Sequence, residues 1–391
     1  MSETTAALEE REDAMPVGVL DHYRRYLRQR PVMLALFSVL AVAFFLAVAG
    51  LSRAYHSQRE ALGNRWFSRG VADLNAQRFD SAVIEFRAAL LYSRDDYSYQ
   101  LNLAEALVGL RHTGEASTYL LNLWDREPED GLVNLELARI ATQQGQTDQA
   151  VRYYHNAVYA AWPAGQEGKR RDARLELIEL LLHTRATAQA QSELIALAAN
   201  MGDDPAQQQR LGDLFLRAED YEHALAAYRV ALRSDRHNPA VMSGAGYAAF
   251  QLARYPLAER YLQAAVAGDP KDTQSAERLK TTEMVLHMDP FRRQISAAER
   301  NRTVVAAFET AGQRLKTCPV PNAPGSGPSL SDDWATLKTK ITALQLRRNP
   351  DLVDSAMDIV FRIERQTSIT CGPPTGTDLA LLLIAKLHEG S

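Results

Sequence analysis

Residues 78–94 read RFDSAVIEFRAALLYSR, residues 112–128 read HTGEASTYLLNLWDREP, and residues 146–162 read QTDQAVRYYHNAVYAAW. Each segment has an alanine at its fifth position, so Ala82, Ala116 and Ala150 fall 34 residues apart. Ala190 follows after 40 residues, then Ala224 and Ala258 after 34 each. Four residues beyond each alanine stands a larger side chain: Phe86, Leu120, Tyr154, Leu194, Tyr228 and Leu262. Three further on come Ala89, Leu123, Ala157, Leu197, Ala231 and Ala265. Twelve residues before the alanines are Gly70, Ala104, Ala138, Ile178, Gly212 and Gly246. Offsets of four and three put side chains on one helix face. Small residues let a second, antiparallel helix come close while the large one fills the space beside it. Short polar turns such as Gln143-Gln144-Gly145-Gln146 separate the two helices. Each unit is then a helical hairpin that can bury its apolar face only against a neighbour.

This pattern resembles the tetratricopeptide repeat family, in its membrane-anchored bacterial form, over residues 63–271. Trp66 and Gly70 match the opening of the first unit, Leu211-Gly212 match the Leu-Gly pair of the fifth, and Pro128 and Pro270 fill the closing proline position. Arg94, Trp162, Gly202 and Arg236 depart from that proline, and Leu123 and Leu197 stand where the family has its second alanine. The expected fold is all-α: a right-handed α-solenoid of about six such hairpins, preceded by one transmembrane helix and followed by a small helical C-terminal cap. The six extra residues fall at Gly165–Arg170 and read as a loop or a helix extension.

Residues Val32 to Leu51, VMLALFSVLAVAFFLAVAGL, contain no charge. As a helix they cover about 30 Å, the hydrocarbon thickness of a bilayer, and they show no polar face. Arg24, Arg25, Arg28 and Arg30 crowd the N-terminal flank, so the N-terminus is expected inside and the bulk of the chain in the periplasm. Ala47-Val48-Ala49 has a small-x-small cleavage signature, but some thirty residues precede the apolar run, which favours a retained anchor in the inner membrane over a signal peptide. Arginine far outnumbers lysine, which points to a GC-rich bacterial genome.

The expected organisation is a cytoplasmic tail, 1–31, with a polar acidic stretch from Ser2 to Ala14 and a basic juxtamembrane segment; a span, 32–52; six repeats, 63–272; capping and connecting helices, 273–318; a Pro/Gly-rich loop, 319–330; and a C-terminal helical cap, 331–391, which matches no family. Among the capping and connecting helices, Gln274–Met288 reads as a solvent-facing helix closing the stack; within the cap, helices are expected to start at Ser331-Asp332-Asp333 and at Asn349-Pro350-Asp351 and to run from Asp378 to His388. The only cysteines, Cys318 and Cys371, lie outside the repeats in adjacent helical segments, and an oxidising compartment predicts a disulfide between them.

Catalysis, cofactors and metals find no footing. Phosphate-loop, dinucleotide, nucleophile-elbow and zinc-helix motifs are missing, and no two of the nine histidines stand at i,i+4. A net charge of −4 argues against a nucleic-acid partner, and no small-molecule substrate is indicated. The resemblance implies protein binding in a groove lined by the first helix of each unit. Carried over by position, that groove is Leu101, Asn102 and Glu105; Leu132, Leu135, Glu136 and Arg139; Leu175, Glu176 and Glu179; Arg210 and Asp213; and Tyr247 and Phe250. Its middle carries more acids than bases, which predicts an apolar partner segment flanked by Lys or Arg. The Lys/Asn set that clamps chaperone C-termini is not reproduced, since Phe67 and Val71 hold its positions in the first unit. The function expected is a membrane-anchored scaffold or assembly factor; the alternatives are an accessory subunit of a larger membrane complex and a periplasmic chaperone-like protein beside the secretion machinery.

Overall fold

The computed structural model describes residues 17–321 and 329–389. The expected acidic tail, Ser2 to Ala14, lies outside the described residues, as does residues 322–328 of the Pro/Gly-rich loop; the side chains of the basic flank, Arg24 to Arg30, do so too. All regular structure among the described residues is helical. Two compact units divide at Ala164 and Gly165, at the start of the six extra residues, and each is built from three hairpins or from three hairpins and a C-terminal bundle.

In residues 1–164 the hairpins are α1 (Val17–Asn75) with α2 (Phe79–Leu90), α3 (Tyr97–Gly109) with α4 (Thr113–Arg126), and α5 (Gly131–Gln143) with α6 (Thr147–Tyr159). The sequence suggests a span and a first repeat as separate elements, but they form one helix of 59 residues. Nothing between Ser52 and Leu62 can break it, because the stretch holds neither proline nor glycine. Pro31 sits inside the helix rather than at its start. Antiparallel packing is set at two levels. Arg59 donates to the carbonyl of Tyr92 at 2.7 Å near one end of the hairpin, and Gly70 meets Phe86 in its middle, where a Cβ at Gly70 would stand 2.6 Å from the ring. The core is Phe86, Leu103, Leu107, Leu120, Leu123 and their neighbours.

In residues 165–391 the hairpins are α7 (Glu167–His183) with α8 (Thr187–Ala198), α9 (Pro205–Arg217) with α10 (Tyr221–Ser234), and α11 (Pro239–Gln251) with α12 (Tyr255–Gly268). Part of the six-residue surplus lengthens α7 to 17 residues, so the helix-extension reading applies. The same small-against-large contact recurs: a Cβ at Gly212 would lie 2.7 Å from Tyr228, and one at Gly246 2.7 Å from Leu262. Then follow α13 (Thr273–Met288), α14 (Ala297–Thr317), α15 (Leu330–Lys338), α16 (Ala343–Arg348), α17 (Asp351–Cys371) and α18 (Gly376–Leu387). α13 is not a solvent-facing cap. It is packed between α12 and α18, and Val285, Met284, Leu286 and Met288 join the core formed with Val304, Phe308, Val360 and Ile363. α15 begins one residue earlier than the sequence suggests, because Ser329 and Asp332 form a reciprocal capping box.

One turn repeats through both units. The second residue after each first helix is left-handed: Gln77, Arg111, Gly145, Arg185, Glu219 and Ala253 all have φ between 54° and 72°. Around each, two backbone bonds close a Schellman motif, as in Glu219 N–H to Leu216 O and Asp220 N–H to Phe215 O, both within 3.0 Å. The residue that ends one helix thus begins the next, and only the third of these six positions is glycine. Between hairpins the first helices start at side-chain caps, Asp96, Asp130, Asp204 and Asn238, each accepting from the backbone N–H three residues on.

The C-terminal bundle holds a buried acid. Glu364, on α17, is fully buried and neither of its oxygens accepts a hydrogen bond from the protein. Burial raises its pKa to about 8, the Asp378 carboxylate adds to the rise, and the Arg314 guanidinium opposes it. Arg314 reaches Thr367 Oγ1 and the Gly372 carbonyl, each at 3.4 Å, and Asp378 at 4.0 Å. Beside this group the sulfurs of Cys318 and Cys371 are bonded, with Cα atoms 6.2 Å apart. They join the end of α14 to the end of α17 across 53 residues. On the chain-entropy model, closing a loop of that size is worth roughly 4 kcal/mol.

Two predictions follow from local structure. A left-handed L-residue costs about 1–2 kcal/mol that glycine does not pay, less the greater freedom glycine has in the unfolded chain. Glu219→Gly should therefore raise stability by about 0.5–1 kcal/mol and Gly145→Ala should lower it by about 1 kcal/mol, read by denaturant titration. Glu364 binds its proton more tightly folded than unfolded, so folding stability should fall as pH rises from about 4.5 to about 8. Glu364→Gln removes that loss, and its advantage over the parent should grow to about 2–4 kcal/mol by pH 8. An advantage independent of pH would refute the assignment.

Candidate partner-binding surfaces

In residues 1–164 the ends of the three first helices converge on a depression of about 530 Å³. α1 supplies Leu74 and Asn75, α3 supplies Glu105, Val108 and Gly109, and α5 supplies Glu136, Arg139 and Gln143, with Gln77 and Arg111 from the turns and Phe79 from the start of α2. Three residues expected in the groove are therefore brought together: Glu105, Glu136 and Arg139. Two of these carry a pair rather than a negative field, since Arg139 Nη1 donates to Glu136 Oε1 at 2.6 Å. Arg111 adds a second positive charge at the rim. In this depression the two acids, Glu105 and Glu136, are thus matched by two bases, Arg139 and Arg111.

The positional transfer fails at several residues. Leu101, Leu135 and Glu136 are 6%, 1% and 3% exposed, so they are core residues and not free contact surface. α5 packs against α3 as well as α6, and this second contact covers positions that a hairpin alone would leave open. Asn102 is half-buried and donates to the carbonyl of Ser98 on its own helix. Leu132 lies with a different depression, of about 570 Å³, lined by residues 127–132 and 161–163. There Trp162 covers Gly131, where a Cβ would stand 2.7 Å from the ring, and its Nε1 donates to the Ala157 carbonyl at 2.7 Å.

In residues 165–391, Leu175 and Arg210 meet in a smaller hollow of about 210 Å³ with Asp172, Leu197, Met201 and Leu214. The other expected groove residues are engaged inside the fold. Glu179 receives two bonds from Arg217, at 3.0 and 2.7 Å. Asp213 accepts from the Tyr228 hydroxyl, and the Arg278 guanidinium lies 4.3 Å over the Tyr247 ring. Burial, then the Asp213 carboxylate, pushes the Tyr228 phenol well above its usual range. Phe250 packs edge-on to Tyr255 at 5.7 Å and joins the C-terminal core. Glu176 is half-buried on α7. The residues that sequence reasoning missed are in turns: Gln77, Arg111 and Trp162. Trp162 signalled itself only by standing where a proline is expected.

Burial changes how this surface can be tested. Charge reversal at Glu136 would strand Arg139 against a like charge in a buried site, so Glu136→Lys should cost about 3 kcal/mol of stability. Gln143→Lys, at the exposed rim of the same depression, should stay within about 0.5 kcal/mol. Equal melting behaviour of the two variants would show that Glu136 is not buried in solution.

The tetratricopeptide repeat family model matches residues 101–166 and 210–273, which are the second and third and the fifth and sixth hairpins. No curated protein matches the chain in sequence. Solved structures similar to it include Pseudomonas aeruginosa pilF, at 14% identity over 56% of this chain and 97% of that one, with a TM-score of 0.41. YrrB, described as a TPR protein with an unusual peptide-binding site, is 14% identical over 49% of this chain and 95% of its own, TM-score 0.40. PilW, described as a widely conserved type IV pilus biogenesis factor, is 15% identical over 56% of this chain and 98% of its own, TM-score 0.39. The matched hairpins are tetratricopeptide repeats, and the turn between their helices recurs in all six hairpins of the chain.

Proposed function

We propose that this chain is a membrane-anchored interaction scaffold that holds a protein partner at a fixed height above the inner membrane. The observation that carries the reading is α1, which runs without a break from an apolar segment into the first hairpin. Over that segment the large apolar side chains lie exposed: Phe44 and Phe45 are 72% and 70% exposed. Such a surface is long and apolar enough to cross a bilayer and is unfavourable in water. The basic N-terminal flank favours the N-terminus inside, and the Cys318–Cys371 bond suits an oxidising compartment for the rest of the chain.

On this reading the depression at Asn75, Arg111 and Gln143 lies at the end of the first hairpins farthest from the membrane. Asn75 is 24 residues beyond Leu51, a rise of roughly 36 Å along α1. A partner held there would stand clear of the lipid surface. The mixed charge of the depression suits a polar peptide with both signs better than the basic one that the sequence suggested.

The reading predicts that the full chain stays in the membrane pellet after alkaline carbonate and that a reporter fluorescent only in the cytoplasm is dark when fused after Ser391. Release by carbonate, or a bright fusion, would overturn the anchor or its direction. Asn75→Lys together with Gln143→Lys should reduce recovery of the co-purifying partner at least tenfold with an unchanged melt; full recovery would remove the partner from this depression.

A further inference from the structure

The first unit has two ends, and side-chain contacts trace the one nearer the apolar segment. Arg59 of α1 binds the carbonyls of Leu91 and Tyr92. Tyr99, at the start of α3, donates from its hydroxyl to Asn64 and packs on Gly63. The Arg126 guanidinium lies 5.6 Å from the centre of the Tyr97 ring, which brings the α4–α5 loop alongside. Trp162, after α6, covers Gly131. Every loop between hairpins therefore lies at the same end as Arg59, and the left-handed turns at Gln77, Arg111 and Gly145 lie at the other.

The second depression, of about 570 Å³, is on this near edge. Its walls are Pro128, Leu132, Trp162 and Pro163, and its rim carries Glu127 and Glu129, both exposed. Leu132 and Trp162 remain half-exposed there. α1 gives the edge a height. Arg59 and Gly63 are 8 and 12 residues beyond Leu51, so the edge starts roughly 12–18 Å above the end of the apolar run. The head-group layer occupies about 5–7 Å of that on each side of a bilayer. What remains, on the order of 10 Å, is the width of one helix or one extended chain with side chains.

We infer that this near edge, between the first three hairpins and the membrane, is a docking site for a basic, apolar segment of a protein partner as that segment leaves the bilayer. The inference rests on the anchor reading above. Charge complementarity selects the occupant. Glu127 and Glu129 repel anionic lipid but attract Lys or Arg, while Trp162 and the two prolines offer rigid apolar contact. The gap keeps the depression beyond the head groups and admits a single segment. This site is separate from the depression at Asn75 and Gln143, which faces away from the membrane, so one chain can hold a partner's membrane-proximal segment and a second element at once.

The test uses the full chain in nanodiscs of zwitterionic lipid and a labelled synthetic peptide of leucine and arginine, read by fluorescence anisotropy. The peptide should bind, binding should fall with salt, and Glu127→Lys with Glu129→Lys should weaken it at least tenfold. Asp148→Lys, at the opposite edge, should leave it within twofold. A peptide of leucine and glutamate that binds equally well, or binding untouched by the double reversal, overturns the site. A bimane label at Ala161→Cys should be quenched by brominated lipid more than one at Gln144→Cys. Equal quenching overturns the placement of this edge toward the membrane, and direct, salt-independent quenching at Ala161 equal to that of a label inside the span makes lipid the occupant instead. Flotation of the chain with vesicles is scored separately, so failure of the anchor itself is distinguishable from failure of the docking site.

Discussion

A side chain placed where its opposite helix has none is the contact on which the whole architecture depends. Phe86 lies against Gly70, Tyr228 against Gly212 and Leu262 against Gly246, each pair 16 residues apart and each too close for a Cβ. That approach draws the two helices of a hairpin together and fixes which face is left over for the next hairpin. A hairpin alone cannot bury the remaining face, so order spreads from neighbour to neighbour. The turn enforces the same geometry from the other side. A Schellman motif with its C″ residue serving as the next N-cap leaves no slack, and the chain accepts a left-handed Gln, Arg, Glu or Ala five times to keep it.

Charges in this protein mostly serve that packing. The Glu136–Arg139 pair sits in a nearly closed site, Arg174 and Glu193 meet at 3.1 Å with both largely buried, and Arg217 grips Glu179 with two bonds. The half-exposed Arg217–Glu179 pair contributes little stability, but all three pairs consume acids that would otherwise give the inner face a single sign. The C-terminal bundle behaves differently. Glu364 is buried without a hydrogen bond next to an arginine that is already shared among Thr367, Gly372 and Asp378. Cross-linking of α14 and α17 beside it helps the bundle hold an acid that desolvation disfavours.

The hairpins were legible because their packing requirement falls on side chains: alanine, a large residue four on and a small residue twelve before are written directly in the chain. The turns were not, because five of the six left-handed residues are types with no preference for that conformation. The continuity of α1 was hidden for a related reason. Span and repeat are each helical, and the absence of a breaker between them leaves no mark. Groove residues were read least well. Transfer by position sees one hairpin at a time, whereas the exposure of Leu101, Leu135 and Glu136 is decided by the neighbouring hairpin's first helix. The family model passes over the first and fourth hairpins; these are the two whose first helices are altered, one by fusion to the apolar segment and one by elongation at the six-residue surplus.

The unbroken α1 also has a rotational meaning. A helix advances about 100° around its axis for every residue. With no flexible joint between Leu51 and Gly63, whatever grips one face of the apolar segment sets the compass bearing of the first hairpins. One residue added in that stretch would lift them by only about 1.5 Å but swing them through more than a quarter of a circle. The length of the stretch is therefore an angular setting far more than a spacer, and whatever holds one face of the apolar segment aims the first hairpins.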